Sequence, residues 1–148
     1  MSEDDGLVQT FEITGGDFNR AGRVSIQIKD LLKEIGIEPE IILRAAIVAY
    51  EAEMNVVMYA QKGHFQVSLT PASIRMIVQD EGAGIPDIGL ALQEGYSTAS
   101  NAMREMGFGA GMGLPNIKKN ADQFEIVSEV GIGTRLDIVL YLNKAKKE

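Results

Sequence analysis

The chain has 148 residues, a length that favours one domain with a buried core. Apolar residues make up 45% of it, and no apolar run approaches the ~18 residues of a membrane-spanning helix. The net charge of −7 argues against nucleic acid or a membrane surface as a partner.

The content of cysteine and histidine excludes several kinds of site. The chain has no cysteine, which rules out disulfides, thiolate zinc sites and cysteine nucleophiles and fits a reducing cytoplasm. A single histidine, His64, argues against a histidine-rich metal site. The acidic start, Met1–Gly6, lacks an apolar segment, so we expect no secretory signal.

The first half of the chain predicts one strand followed by two helices. Leu7–Ile13 has the alternation of a strand, and apolar residues at three- and four-residue steps over 21–35 predict an amphipathic helix. Pro39 suits the first turn of a second helix, which runs to about Ala60. The apolar stripe expected on that helix consists of Leu43, Ile47, Tyr50, Met54 and Val57.

The second half predicts two hairpins separated by a glycine-rich stretch. In chain order the elements are strands at 65–69 and 74–78, a short helix within 85–93, a helix over 114–121, and strands at 124–130 and 136–142. This order predicts an α/β (α+β) two-layer sandwich, with a mixed, mostly antiparallel sheet covered on one face by helices. We expect a single domain over 1–148, with an ordered core at about 7–142.

Glycines cluster where a binding site is expected. Eight of the 16 glycines lie between Gly82 and Gly113. The run 107–113 precedes a predicted helix, where backbone N–H groups could approach phosphate oxygens. It matches neither the P-loop nor the GxGxxG pattern, and taken alone it is equally consistent with a flexible surface loop.

Three polar side chains outside this run are candidates for chemistry. Asp80 ends a buried strand, so its carboxylate could accept a hydrogen bond from an amine such as that of adenine, or could simply cap the turn. Glu51 and Asn55 lie four residues apart on one helix face, where a carboxylate could polarise a hydroxyl and an amide oxygen could bind Mg²⁺. Two polar residues on a solvated helix edge would look the same. Glu53 is expected at the solvated surface.

Four glycine and polar motifs occur in a fixed order. They are Glu51-x-x-x-Asn55, Asp80-x-Gly82-x-Gly84, Gly109-x-Gly111-x-Gly113 and Gly131-x-Gly133-Thr134. Each is weak alone, and the last could be an ordinary hairpin turn. Together they resemble the Bergerat (GHKL, HATPase_c) ATP-binding fold shared by gyrase, Hsp90, sensor histidine kinases and MutL, over about residues 7–142.

Further segments narrow the resemblance. Gly95–Thr98, 111–119 and Phe124–Ile126 are similar to bacterial serine kinases of the anti-sigma and partner-switching class, above all the RsbT type, related to RsbW and SpoIIAB. The resemblance implies an ATP-dependent serine/threonine kinase that phosphorylates a STAS-domain (anti-anti-sigma-type) protein. The alternative is an ATP-binding module that sequesters a sigma factor. A phosphatase partner and a homodimer are also compatible with it.

The resemblance also implies roles for individual residues. Asp80 would accept the adenine amino group, with Thr134 in the same hydrogen-bond network, and Gly82 and Gly84 would let the backbone approach the nucleotide. The phosphates would be held by the backbone around Gly109, Gly111, Gly113 and Leu114.

The resemblance also implies that ATP lies between the helices and the glycine-rich segment, or lid. Residues of the second helix and of the lid would therefore contact the reacting end of the nucleotide. Asn55 would coordinate Mg²⁺, and Glu51 would orient or deprotonate the attacking hydroxyl. Arg104 is the candidate lid cation, with Lys118 or Lys119 as alternatives, although the two lysines could equally form a solvated helix face.

Two features depart from the family pattern. Glu81 stands where the family most often has Asn, and it adds a negative charge near the expected polyphosphate. Residues 99–106 make the lid longer than in the RsbT-type pattern.

Overall fold

The computed structural model describes residues 6–94 and 113–142, which form a five-stranded sheet with helices on one face. The strands are β1 (Leu7–Thr14), β2 (Ala60–Leu69), β3 (Ser73–Gly82), β4 (Gln123–Glu129) and β5 (Gly133–Tyr141). The helices are α1 (Arg23–Glu34), α2 (Pro39–Tyr59), α3 (Ile88–Ala91) and α4 (Gly113–Asn120). All the predicted elements are present, and a short 3₁₀ turn at Phe18–Arg20 adds to them.

The sheet has the order β1-β2-β3-β5-β4, and each neighbouring pair is antiparallel. The two-layer fold is thus confirmed, and in the described residues the sheet is antiparallel rather than mixed. Alternate side chains on each strand enter the core, where Phe11 and Phe65 pack edge to face at 6.4 Å between ring centroids. The opposite face carries polar pairs, such as Arg75 with Asp137.

Helix α2 runs through the centre of the helical layer, and its buried face differs from the predicted stripe. Leu43 is 63% exposed and Tyr50 is 38% exposed, although both were expected in the core. The buried positions include Ala45, Val48, Ala49, Ala52 and Val56. The reason is that α2 contacts α1, α4 and the sheet, so its buried surface is wider than one stripe and is centred elsewhere. No helix within the described ranges is long and apolar enough to cross a membrane.

The expectation that Glu53 lies at the solvated surface is wrong, because its side chain is buried. Its side chain is 1% exposed and points from α2 to the start of α1. There Oε2 accepts hydrogen bonds from the backbone N–H groups of Gly22 (3.0 Å) and Val24 (3.2 Å), and Oε1 accepts one from Ser25 (3.1 Å). These are N–H groups that the first turn of a helix leaves without intrahelical partners. A carboxylate from another helix therefore caps α1.

Candidate nucleotide-binding site

The carboxylate of Asp80 lies near the end of β3, where β3 and β5 run side by side. Its Oδ1 accepts a hydrogen bond of 3.0 Å from the backbone N–H of Thr134. Burial raises the pKa of Asp80, and the hydrogen bond from Thr134 opposes this increase. With Oδ1 engaged, the second carboxylate oxygen is suited to accept a hydrogen bond from an amino group of a ligand.

The side chain of Thr134 is 5% exposed and belongs to a hydroxyl network that the sequence did not reveal. Its Oγ1 lies 2.8 Å from Oγ of Ser128. Ser128 accepts a hydrogen bond of 2.7 Å from the backbone N–H of Ile85 and lies 3.2 Å from the carbonyl oxygen of Gly133, to which it can donate. Ser128 thus joins β5 to the loop after β3. The available signal was a polar residue at an inward position of β4, following Phe124 and Ile126 at two-residue steps.

Glycines permit the close approach of backbone segments around Asp80. A Cβ atom on Gly133 would lie 2.0 Å from the carbonyl oxygen of Asp80. Gly84 has φ +80°, and a Cβ there would lie 2.5 Å from the carbonyl oxygen of Glu129. Gly82 is packed in the same way against Tyr59 at the end of α2. These glycines bring β3 and the loop after it close to β4, β5 and α2, and side chains at these positions would push the segments apart.

Glu51 and Asn55 lie on the part of α2 that is only partly buried, as expected for a border between core and cleft. Glu51 Oε2 accepts a hydrogen bond of 3.0 Å from Nδ2 of Asn116 on α4. The pKa of the neighbouring Tyr50 is raised by burial and, to a lesser extent, by the charges of Glu51 and Glu53.

Helix α2 connects the two halves of the site. Its last residue, Tyr59, packs against Gly82, which belongs to the Asp80 motif. Glu51 lies two turns earlier, about 12 Å along the axis at the α-helical rise, and its Oε1 would be 3.4 Å from a Cβ on Gly113. Asn55 lies between these two points. The structure therefore brings the first, second and fourth motifs together with Gly113, the last glycine of the third.

Several candidates for phosphate contacts either lie outside the described residues or have other contacts. Arg104, Gly109, Gly111 and the segment 99–106 lie outside the described residues. Lys118 is exposed on α4, and Lys119 forms an ion pair with Glu94 (2.6 Å). Leu114 is buried in the core, so it can reach a ligand only through its backbone.

The extra charge of Glu81 points away from the core side of the sheet. Its side chain is exposed and lies 3.7 Å from Nζ of Lys62 on the neighbouring strand. Since successive residues of a strand face opposite sides, Asp80 and Glu81 diverge. The charge of Glu81 therefore lies on the opposite face of the sheet from the carboxylate of Asp80.

The residues present fit a nucleotide bound with a metal ion. Asp80 offers a partly desolvated acceptor, and the glycines let the backbone segments beside it pack closely. Among the described residues no group of three acidic or histidine side chains could hold a metal alone. Mg²⁺ usually takes one or two protein oxygens and completes its shell with phosphates and water, so the amide oxygen of Asn55 is a suitable ligand.

Comparison with known proteins finds a matching family model and several similar proteins. The family model described as "Histidine kinase-, DNA gyrase B-, and HSP90-like ATPase" matches residues 40–145, from the start of α2 to beyond β5. Serine/threonine-protein kinase RsbT of Bacillus subtilis (strain 168) is 29% identical over 118 residues, which are 77% of this chain and 83% of that protein.

Two anti-sigma F factors are also similar. The protein of Halalkalibacterium halodurans is 29% identical over 107 residues, or 72% of this chain and 66% of its own length. The protein of Bacillus cytotoxicus is 27% identical over 104 residues, or 66% of this chain and 68% of its own length. The resemblance drawn from the four motifs is thus confirmed.

Proposed function

This chain belongs to the histidine kinase-, DNA gyrase B- and HSP90-like ATPase family, and on that premise we propose that it is an ATP-dependent serine/threonine protein kinase of the partner-switching class. We propose further that its substrate is a small STAS-domain protein. Similarity to the kinase RsbT over most of both chains supports the activity. The observation that carries the proposal is the placement of Glu51 and Asn55 on α2, whose last residue packs against Gly82 of the Asp80 motif.

Each candidate side chain has a task in such a reaction. Asp80 accepts a hydrogen bond from the adenine amino group, and Asn55 contributes its amide oxygen to Mg²⁺. Bound ATP supplies the phosphoryl group. Glu51 takes the proton of the acceptor hydroxyl while the oxygen of that hydroxyl bonds to phosphorus. The electron pair of the broken phosphoanhydride bond stays with ADP. Gly113 and Leu114 present backbone N–H groups to phosphate at the start of α4.

Phosphorylation would then change the partner's complexes. A phosphoserine or phosphothreonine carries nearly two negative charges, and placed in an interface it opposes binding by repulsion and desolvation. This chain is itself acidic, with a net charge of −7, so a newly phosphorylated substrate would be repelled from its surface. Product release and partner exchange follow from the same charge.

Calorimetry and phosphotransfer test the proposal together. We expect wild type to bind ATP more tightly with Mg²⁺ than without it, and to place phosphate on a serine or threonine of a small STAS-domain protein. Asp80→Asn should bind ATP at least about 10-fold more weakly, because the amide loses the charge that holds the amino group. Asp30→Asn is the matched control, since Asp30 is exposed on α1, away from the site.

A second candidate is supported by the two anti-sigma F factors among the relatives. In that case the chain binds ATP but acts by holding a sigma factor, with little phosphotransfer. A phosphorylated STAS-domain protein favours the kinase. A stable complex with a sigma factor in ATP, without a phosphorylated product, favours sequestration and refutes the kinase.

A further inference from the structure

The carboxylate of Glu51 is held by a residue that none of the four motifs contains. Asn116 on α4 donates from Nδ2 to Glu51 Oε2 at 3.0 Å, in a partly buried interface between α2 and α4. An ionised carboxylate can only accept hydrogen bonds, so the amide of Asn116 must turn its NH₂ group toward it. We infer that Asn116 is a positioning residue that fixes Glu51 for proton transfer, an inference that rests on the proposed role of Glu51.

The helix that carries Asn116 is itself anchored. Leu114 and Ile117 place α4 in the hydrophobic core, so Asn116 cannot move without repacking it. One turn later, Asn120 donates from Nδ2 to the carbonyl oxygen of Asn116 at 2.9 Å. Arg44 on α2 donates to the carbonyl oxygen of Asn120 from Nε (3.0 Å) and from a terminal nitrogen (2.6 Å). Both ends of α4 are therefore tied to α2, and Asn116 is a fixed donor.

This contact distinguishes the two oxygens of Glu51. Oε2 is occupied by Asn116, whereas Oε1 faces the position of Gly113 at the start of α4. The terminal torsion of a glutamate is broad when nothing restrains it, and one directed hydrogen bond narrows it. Oε1 is then held in one orientation toward the acceptor hydroxyl, whose proton it takes. The contact also links the base to the first turn of α4, where the backbone is expected to hold phosphate.

The loss of this contact should slow transfer without weakening ATP binding. General base catalysis contributes about 10²–10⁴-fold, and a misplaced base forfeits part of it, so we expect Asn116→Ala to lower the maximal transfer rate about 10–100-fold. Asn116→Asp keeps the shape but replaces the donor by a second carboxylate, and it should lose at least as much. The dissociation constant of ATP should change less than about 3-fold. Gln27→Ala, which also removes an amide side chain from a helix but lies exposed on α1, should transfer at close to the wild-type rate.

A double-mutant cycle separates positioning from a general structural effect. The rates are measured as phosphate on the STAS-domain protein at saturating ATP and acceptor, and as ADP formed without acceptor. If Asn116 acts through Glu51, Asn116→Ala should have no further effect once Glu51 is replaced in Glu51→Gln. An equal fractional loss in both backgrounds, or a wild-type rate in Asn116→Ala, overturns the inference and leaves the proposed function standing. A wild type that binds ATP but forms neither product overturns the proposed function, and the inference with it.

Discussion

The buried carboxylate of Glu53 allows a prediction whose size follows from the structure. Replacing it by alanine removes the acceptor of three backbone N–H groups at 3.0–3.2 Å, all at the start of α1. Each buried donor left unsatisfied costs about 1–3 kcal/mol, which would total about 3–9 kcal/mol. Alanine also removes the cost of burying a charge, which offsets several kcal/mol of this loss. We therefore expect Glu53→Ala to lower the free energy of unfolding by about 3 kcal/mol.

The isosteric change to glutamine should cost less. Two of the three hydrogen bonds end on Oε2, so the single amide oxygen of Glu53→Gln can keep both. The amide NH₂ group then faces the N–H of Ser25, which loses its acceptor. We expect a loss of about 1–2 kcal/mol for this variant. Glu34→Gln, which removes the same charge from an exposed position at the end of α1, should stay within about 0.5 kcal/mol of wild type.

Urea denaturation followed by far-UV circular dichroism measures these differences. The chain has no tryptophan, so the helical signal is a better probe than fluorescence. At about 2–4 °C per kcal/mol for a domain of this size, Glu53→Ala should also lower Tm by roughly 6–12 °C. A Glu53→Ala variant that unfolds within about 0.5 kcal/mol of wild type would refute the reasoning, because α1 would not then depend on this cap.

Three further predictions follow from other contacts. Gly84→Ala should destabilise the protein by about 1–3 kcal/mol more than Gly36→Ala in urea denaturation, since both have a positive φ but only the Gly84 position meets backbone atoms; equal losses would contradict this. Arg75→Met should cost no more than about 1 kcal/mol at pH 7, because its partner Asp137 lies on the open face of the sheet. Arg75 lowers the pKa of Asp137, so the loss should fade as the pH drops through that lowered pKa, and a loss constant with pH would exclude the pair as its cause. Asp80 behaves oppositely. Because its pKa is raised in the folded state, its contribution to folding stability declines as the pH rises from about the unfolded pKa to the folded pKa. Asp80→Asn should therefore make the ATP-free protein at least as stable as wild type at pH 7 by thermal unfolding. A clear loss of Tm would show that the carboxylate stabilises the fold.

Local patterns were sufficient for most of the secondary structure. The alternation in β2 and β3 follows from the two-residue period of a strand, and both strands are present with the expected inward residues. Pro39 begins α2 because a helix needs no N–H donor at its first position. These features depend on residues close together in the chain, which is why the sequence alone predicted them.

Contacts between distant residues were harder to predict. Leu43 fits an apolar helical stripe, yet it is exposed because the position of α1 and α4 around α2 decides which face is buried. Glu53 is buried because the start of α1, about 30 residues earlier, supplies three donors, and nothing near Glu53 signals them. Asn116 and Glu51 are 65 residues apart. The grouping of Asp80 with Thr134 was expected from the family resemblance, not from spacing.

Glu51 and Glu53 lie on the same helix, so the contacts of Glu53 with α1 also affect where Glu51 is placed for proton transfer. At about 100° per residue the two side chains point to nearly opposite sides of α2, one toward α4 and the other toward α1. A rotation of α2 by ~10° would move a side-chain tip by ~1 Å at the outer radius of a helix. A displacement of that size can lower a catalytic rate about 10²-fold. Glu53 and Asn116 restrain this rotation from both sides, so folded variants of Glu53 should lose transfer rate before they lose affinity for ATP.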